Sequence, residues 1–289
     1  MSLSPAHPVV VGVDGSPSAE AAARAAATEA ARRGRPLRLV RVLRWPDRPL
    51  TGLPEGLDAR AAVRSSATAA LARLATRLTA ELGADEVGTA VLDGSPVEVL
   101  TDQGRTAELL VLGATGTSSS ATGELGSVAE AVATTGPCPV LVHRTAPWGA
   151  RNRGVVAAVD VVADAGPVLE AAAVEAELRG EPLRVVHAWW QLTDETLRPL
   201  EWRWDPAAVQ QAERAAVDDL VAALRRRHPE LAIDAVVVQG RAPHVVAQEA
   251  DDASLVVLGQ HATPFAEATL HSVLHGVAVP VLTVPLAPA

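Results

Sequence analysis

The sequence predicts an α/β protein of two tandem domains, each a doubly wound, Rossmann-like parallel sheet of five strands. The first observation is an internal repeat, in which residues 10–14, 34–40, 94 and 110–113 recur 146 positions later. The second is that short β-branched runs alternate with helical patterns, which is typical of βαβ units. The third is that the strand runs are nearly continuous in apolar residues, as expected for parallel strands covered on both faces.

The elements of the first copy follow one another in the order of such a fold. The first helix has clear end signals, since Ser16 can cap it, Pro17 suits its first turn and Gly34 closes it. A leucine stripe predicts the second helix over residues 58–82. The predicted strands are the runs near residues 8–13, 37–43, 86–92, 108–112 and 139–143.

The boundary between the copies is predicted within residues 145–153, which contain Pro, Gly and Arg and lack apolar periodicity. We therefore expect a first domain of residues 1–147 and a second domain of residues 148–289. Doubly wound sheets bind ligands beyond the carboxyl ends of their strands, where the strand order reverses. Any functional site is therefore expected at that edge.

Composition excludes several kinds of function. All 25 basic residues are arginine, and both a Walker-type phosphate loop and Schiff-base chemistry need a lysine. The net charge of −9 opposes non-specific nucleic-acid binding, which needs a basic surface. No apolar stretch is long enough to span a bilayer, no export signal is recognisable, and Cys138 has no disulfide partner. We therefore expect a cytoplasmic protein without membrane or nucleic-acid contacts.

A glycine-patterned loop follows the fourth strand. Gly113 and Gly116 are followed, after nine small or polar residues, by Gly126 and Ser127, which open a helix. Glycines allow a positive φ and a close approach of the backbone to a ligand, and a helix N-terminus offers free N–H groups to an anion. The loop therefore suits the phosphates of a nucleotide. A flexible Ser/Gly surface loop is an equally supported alternative from the spacing alone.

The whole chain resembles the universal stress protein family in its tandem, two-domain form. Residues 113–127 match the pattern Gly, two residues, Gly, nine residues, Gly-Ser/Thr, which the family's nucleotide-binding members carry. The opening at 9–16 (VVVGVDGS) and the ending at 137–142 (PCPVLV) are similar as well. The resemblance implies that the first domain binds ATP or a related adenine nucleotide, which Mg²⁺ can accompany. It also implies a regulatory or stress-response role, in which nucleotide state changes the interaction with a protein partner.

The resemblance also assigns roles to individual positions. Asp14 matches an acidic residue near the ribose and phosphates, and Val42 matches the residue whose backbone meets the adenine. The phosphate-holding positions match Gly113, Gly116, Gly126 and Ser127, with Val128 following them. Independently, Asp14 ends a strand where a ribose or metal contact is expected, although it can instead cap the turn before the first helix.

No catalytic constellation is recognisable in the sequence. No Ser/His/Asp set has a supporting spacing, and no pair of carboxylates flanks the loop. Without a lysine or a placed arginine to stabilise the transition state, any ATP hydrolysis is expected to be slow. A ligand-free structural scaffold and an enzyme of the wider nucleotide-binding α/β group are the alternatives to a nucleotide-binding switch.

The second copy has lost the loop pattern. The replacements are Ala262 for Gly116, His271 for Gly126, and Val161-Val162 for Gly15-Ser16, with Pro264-Phe265 interrupting the polar run. We expect no ATP binding there, because alanine at a positive φ costs about 1 kcal/mol and an imidazole blocks a phosphate. The family implies that this copy is a packing partner, joined to the first as a pseudo-dimer through residues 140–143 and 281–284. Whole chains could associate further as a homodimer.

Two clusters of the second copy have several interpretations. The histidines near strand ends or the altered loop are His187, His244, His261, His271 and His275. His271 and His275 are four residues apart on a predicted helix and can share a face, so a metal site is one hypothesis and structural roles are the other. The tryptophans are Trp189, Trp190, Trp202 and Trp204, for which a hydrophobic lid or interface is favoured over a ligand cage.

Overall fold

The computed structural model describes residues 7–46, 58–82, 87–116, 124–144, 154–161, 165–189, 205–260 and 264–286. The chain divides into two compact units, Met1–Thr145 and Ala146–Ala289. The described residues of each unit form five strands and four helices in strict alternation. None of these helices is both long enough and apolar enough to cross a bilayer.

The first unit contains β1 (Val9–Gly12), α1 (Pro17–Arg33), β2 (Leu37–Leu43), α2 (Ala59–Leu82), β3 (Val87–Asp93), α3 (Pro96–Gly104), β4 (Leu109–Gly113), α4 (Ser127–Thr135) and β5 (Val140–His143). Its strand order is β3-β2-β1-β4-β5, and every pairing is parallel. The doubly wound α/β prediction is confirmed, and each strand lies within one residue of its predicted limits.

The second unit repeats this plan with β6 (Val155–Ala158), α5 (Gly166–Arg179), β7 (Leu183–Trp189), α6 (Pro206–Arg227), β8 (Ile233–Gln239), α7 (Ala242–Ala250), β9 (Leu255–Gly259), α8 (Pro264–Gly276) and β10 (Val281–Val284). Its strand order is β8-β7-β6-β9-β10, again parallel. Even the register is repeated, since Val9 pairs with Leu37 and Val155 pairs with Leu183.

Small side chains bring α1 close to its sheet. The buried face of α1 is almost entirely alanine, and Ala22, Ala23 and Ala26 have no exposed surface. Because the distance between packed elements depends on the side chains at the contact, an alanine face lets this helix lie nearer the strands than a leucine face would. The start of α1 is thereby held against the carboxyl ends of the central strands.

The helix signals in the sequence are confirmed. Ser16 caps α1 by accepting a hydrogen bond from the Ala19 N–H at 3.1 Å. Gly34 ends the helix with a φ of 59°, in the left-handed region that favours glycine. On α2 the predicted stripe is buried at Leu71, Leu74 and Leu78, whereas the side chain of Leu82 lies outside the described part.

Cys138 is a packing residue of the first unit. It is buried, and the position of a Cβ added to Gly104 would lie 3.3 Å from its Sγ. Burial raises the pKa of this thiol to about 11, so it stays protonated near neutral pH. Since the thiolate is the reactive form, the single cysteine is chemically inert in the folded protein.

Replacing Ser16 by alanine removes the acceptor that caps α1, and we expect the free energy of unfolding to fall by about 1 kcal/mol. Urea denaturation followed by circular dichroism measures this change. Ser95→Ala is the matched control, because Ser95 also precedes a helix but its side chain makes no capping bond. Equal losses in the two variants would contradict the capping role of Ser16.

Candidate functional site

The candidate site lies at the carboxyl ends of β1 and β4, which are neighbours in the first sheet. The chain leaves β1 through α1 toward β2 on one side, and it leaves β4 through α4 toward β5 on the other. This is the point where the strand order reverses, where doubly wound sheets bind ligands. Both helices begin at this edge, so two positive dipole ends lie along it.

Asp14 follows β1, and its carboxylate holds the turn into α1. Its Oδ1 accepts a hydrogen bond from the Ser16 N–H at 2.9 Å. Its Oδ2 lies 3.1 Å from the position that a Cβ on Gly116 would take. Asp14 therefore both stabilises the turn and faces the loop after β4, so the two roles expected from the sequence are compatible.

Gly113 is required for the packing of α1 against β4. A Cβ at this position would lie 2.7 Å from the Ser18 Oγ and 2.8 Å from the Ser18 carbonyl carbon. The same hydroxyl accepts a hydrogen bond from the Thr115 N–H at 3.3 Å, and the Ser16 hydroxyl donates to the Thr115 carbonyl at 3.4 Å. The first turn of α1 thus positions the beginning of the loop.

The expectation of positive φ angles in the loop is wrong. Gly113 and Gly116 do not adopt a positive φ, and Gly126 has a φ of −71°. Gly113 is needed for space, because Ser18 occupies the place of a side chain, and a Cβ on Gly116 would lie in tight contact with the Asp14 carboxylate at 3.1 Å. The strain argument for Ala262 depends on that expectation and is therefore unsupported. In the turn between β1 and α1, by contrast, Gly15 does have a positive φ, of 88°.

The two ends of the loop meet. The Gly126 N–H donates to the Ala114 carbonyl at 2.8 Å, and the Ala114 N–H donates to the His143 carbonyl of β5 at 2.9 Å. Gly126 is the N-cap of α4 and supplies no side-chain capping bond, while Ser127 is exposed and Val128 is half-buried. Residues 117–123 lie outside the described part. The predicted phosphate-holding residues Gly116, Gly126 and Ser127 are thus brought to the edge occupied by Asp14.

Val42 reaches the same edge from the neighbouring strand. It pairs with Leu92 near the end of β2, and the Val13 N–H donates to the Val40 carbonyl at 2.8 Å, which fixes β2 against the chain leaving β1. The adjacent Arg41 was missed in the sequence. Its Nη1 lies 2.9 Å from the position of a Cβ on Gly15, so an arginine is placed at this edge after all. A charged residue near the end of an apolar strand was the available signal.

The end of β5 contributes no imidazolium charge to this edge near neutral pH. Burial lowers the pKa of His143 below its ordinary value of 6.5. Its backbone carbonyl, by contrast, holds Ala114 in place. His143 is therefore a structural residue of the loop rather than a cation of the site.

The family model described as the universal stress protein family matches residues 5–144 and 152–285. Universal stress protein Rv2005c of Mycobacterium tuberculosis is 32% identical over 302 residues, with 96% of each chain covered. The chain belongs to the universal stress protein family. Both halves match the model, so the protein is a tandem member.

Solved universal stress proteins have the same fold. One from Archaeoglobus fulgidus superposes with a TM-score of 0.68 at 17% identity, covering 96% of this chain and 98% of that chain. A shorter universal stress protein, solved in complex with cAMP, is 28% identical and covers 50% of this chain and 100% of its own, with a TM-score of 0.39.

In this tandem universal stress protein, the last helix starts earlier in the second copy than in the first, where α4 begins at Ser127. The helix α8 begins at Pro264, so His271 and Ser272, the equivalents of Gly126 and Ser127, lie about two turns inside it. Amides in a helix interior donate to carbonyls one turn back and are not available to an anion. The position of a Cβ on Gly259 lies 2.8 Å from Leu286 and 3.3 Å from Val168, so apolar side chains replace the serine of the first copy.

The histidines of the second copy have separate structural settings. His187 is buried, with Nδ1 3.0 Å from the Val159 carbonyl oxygen and Nε2 3.1 Å from a Glu213 carboxylate oxygen. His271 and His275 share a face of α8, as predicted, with ring centroids 4.3 Å apart. Of the tryptophan cluster, Trp189 is buried at the end of β7. The positions outside the described residues are His261, Trp190, Trp202 and Trp204.

Adding a methyl group at Gly113 forces α1 away from β4, and we expect Gly113→Ala to lower the free energy of unfolding by about 1–3 kcal/mol. Urea denaturation provides the measurement. Gly276→Ala is the control, because nothing lies within 4 Å of the added Cβ there. A Gly113→Ala variant as stable as Gly276→Ala would contradict the close packing.

Proposed function

We propose that this universal stress protein binds ATP or a related adenine nucleotide in its N-terminal domain, at the carboxyl ends of β1 and β4. The observation that carries the proposal is the loop closure between Gly126 and Ala114. It brings the N-terminus of α4, which has no side-chain cap, to the edge that holds Asp14. Amides at a helix N-terminus are ready-made donors to phosphate oxygens.

The residues at this edge fit such a ligand. Gly113 lets the first turn of α1 lie against the end of β4, and Gly116 presents its backbone beside the Asp14 carboxylate, where a nucleotide would approach. In the proposed complex the backbone of Gly116 and the start of α4 hold the phosphates, and the Ser127 hydroxyl adds a hydrogen bond. Asp14 meets the ribose or Mg²⁺, and the Val42 backbone meets the adenine.

The proposed role is that of a switch rather than an enzyme. Phosphates at this site would draw together the first turns of α1 and α4, which already hold opposite ends of the loop. A protein partner that binds the surface of this loop would then bind differently in the nucleotide-bound and nucleotide-free states. A cytoplasmic setting, with its adenine nucleotides and reduced thiols, suits this role. Any hydrolysis is expected to be slow, because one Asp14 oxygen already accepts the Ser16 amide.

Isothermal calorimetry with ATP and Mg²⁺ tests the proposal directly. We expect the wild-type protein, freed of carried-over ligand, to bind ATP. Gly126→His should abolish binding by placing an imidazole where backbone meets phosphate, and Gly116→Ala should weaken it at least about tenfold by displacing the Asp14 carboxylate.

Gly276→Ala controls for the effect of adding a methyl group to a glycine, since it lies in open space in the second domain. Its affinity should equal that of the wild type. If the wild-type protein shows no binding at millimolar ATP, the alternative of a ligand-free scaffold is favoured. If Gly126→His binds ATP as the wild type does, the site assignment is wrong.

Restoring glycines to the second copy should not restore a site, because α8 begins about two turns before His271, the equivalent of Gly126. The double variant Ala262→Gly, His271→Gly in a Gly126→His background should show no ATP binding by calorimetry. Circular dichroism checks that the helix content is retained after the glycine substitutions. One equivalent of bound ATP in this protein would show that helix extension is not what removed the site.

A further inference from the structure

We infer that Arg41 makes this site discriminate adenine nucleotides by the charge of their phosphate chain. The inference rests on the proposed function and adds a residue that the loop pattern does not contain. The chain has no lysine, so a side chain that stays positively charged at neutral pH must be an arginine. Arg41 is the one that the described part of the chain shows packed against the Asp14–Gly15 turn.

The strand register places the guanidinium group there. Arg41 follows Val40, whose carbonyl accepts a hydrogen bond from the Val13 N–H at 2.8 Å. The side chain of Arg41 therefore extends beside the residues that lead from β1 into α1. Its Nη1, Cζ and Nη2 lie 2.9, 3.8 and 3.9 Å from the position of a Cβ on Gly15. A side chain at position 15 would have to displace the guanidinium group.

The guanidinium group has no protein acceptor among the described residues. Neither a hydrogen bond nor an ion pair of Arg41 occurs within that part of the chain. Other arginines of the same unit are paired, such as Arg33 with Glu29 and Arg77 with Glu20. Arg41 is half-buried, and an unpaired charge that is partly removed from water is unfavourable. An anionic ligand would remove that penalty.

The positive end of the α1 dipole adds to this imbalance. The helix begins at Pro17, directly after the turn that Arg41 contacts, and a cation near a helix N-terminus is destabilising. The Asp14 carboxylate offsets part of the positive potential, but its Oδ1 is already bonded to the Ser16 N–H. The remaining potential favours a ligand with several negative charges over a neutral one.

The second copy provides an internal comparison. The repeat replaces Arg41 by His187 and Gly15 by Val161. Both ring nitrogens of His187 face protein oxygens, those of Val159 and Glu213. In the second copy, which has lost the loop pattern, the residue at this strand position is therefore paired with groups of its own domain. Where the loop is intact, the cation and the glycine that admits it are both present.

Calorimetric titrations of adenosine, AMP and ATP test the inference. The wild-type protein should bind ATP at least about tenfold more tightly than adenosine. Arg41→Gln should lose about tenfold in ATP affinity and retain the wild-type affinity for adenosine. Arg38→Gln is the matched control, because Arg38 lies near the amino end of the same strand, away from the site. It should leave the affinities for ATP and for adenosine unchanged.

Two further variants keep the test decisive. Arg41→Met preserves the aliphatic stem if glutamine disturbs folding, and Arg41→Lys restores the charge and should recover part of the ATP preference. Equal losses for ATP and adenosine in the Arg41 variants, or no loss, would overturn the inference while the proposed site stands. A wild-type protein that binds none of the three ligands overturns the proposed function and this inference together.

Discussion

The contact between the first turn of α1 and the end of β4 determines the geometry of the rest of the site. Gly113 has no side chain, and the buried face of α1 is almost entirely alanine, so helix and strand approach closely. Ser16 and Ser18 can then hydrogen-bond to both backbone groups of Thr115. The loop direction, the location of Gly116 beside Asp14 and the return of the chain at Gly126 all follow from that approach.

The two copies show how one fold can differ at the carboxyl ends of its strands. Their strand orders and registers are the same, because buried β-branched runs define them in both. The connections after the first and fourth strands differ between the copies. The second copy starts its last helix earlier, has a shorter helix after its first strand, and places Leu286 and Val168 next to Gly259. Helix formation consumes the amides that the first copy leaves at a helix N-terminus.

The sequence predicted the sheet and the helix caps well, because these features depend on local patterns. Apolar runs set the strands, and Ser16 and Gly34 act within a few residues of their own positions. The positive φ expected for the loop glycines is wrong. A glycine can be needed for a positive φ or for the absence of a side chain, and only the neighbours in space distinguish the two. Gly113 and Gly116 are of the second kind.

Arg41 and the early start of α8 were missed for similar reasons. The position of Arg41 depends on the pairing of β2 with β1, which no local pattern reveals. Pro264 was interpreted as an interruption, yet proline is well suited to the first turn of a helix. In both cases the residue type was compatible with two environments, and the tertiary structure selected between them.

The hydrogen bond between Gly126 and Ala114 allows the length of the segment between them to vary in the first copy. Since this bond joins the residue after β4 to the residue before α4, the segment between them can become longer or shorter without moving either element. The entropy of closing such a loop grows only slowly with its length. The sequence between these residues can therefore change with little effect on the stability of the domain.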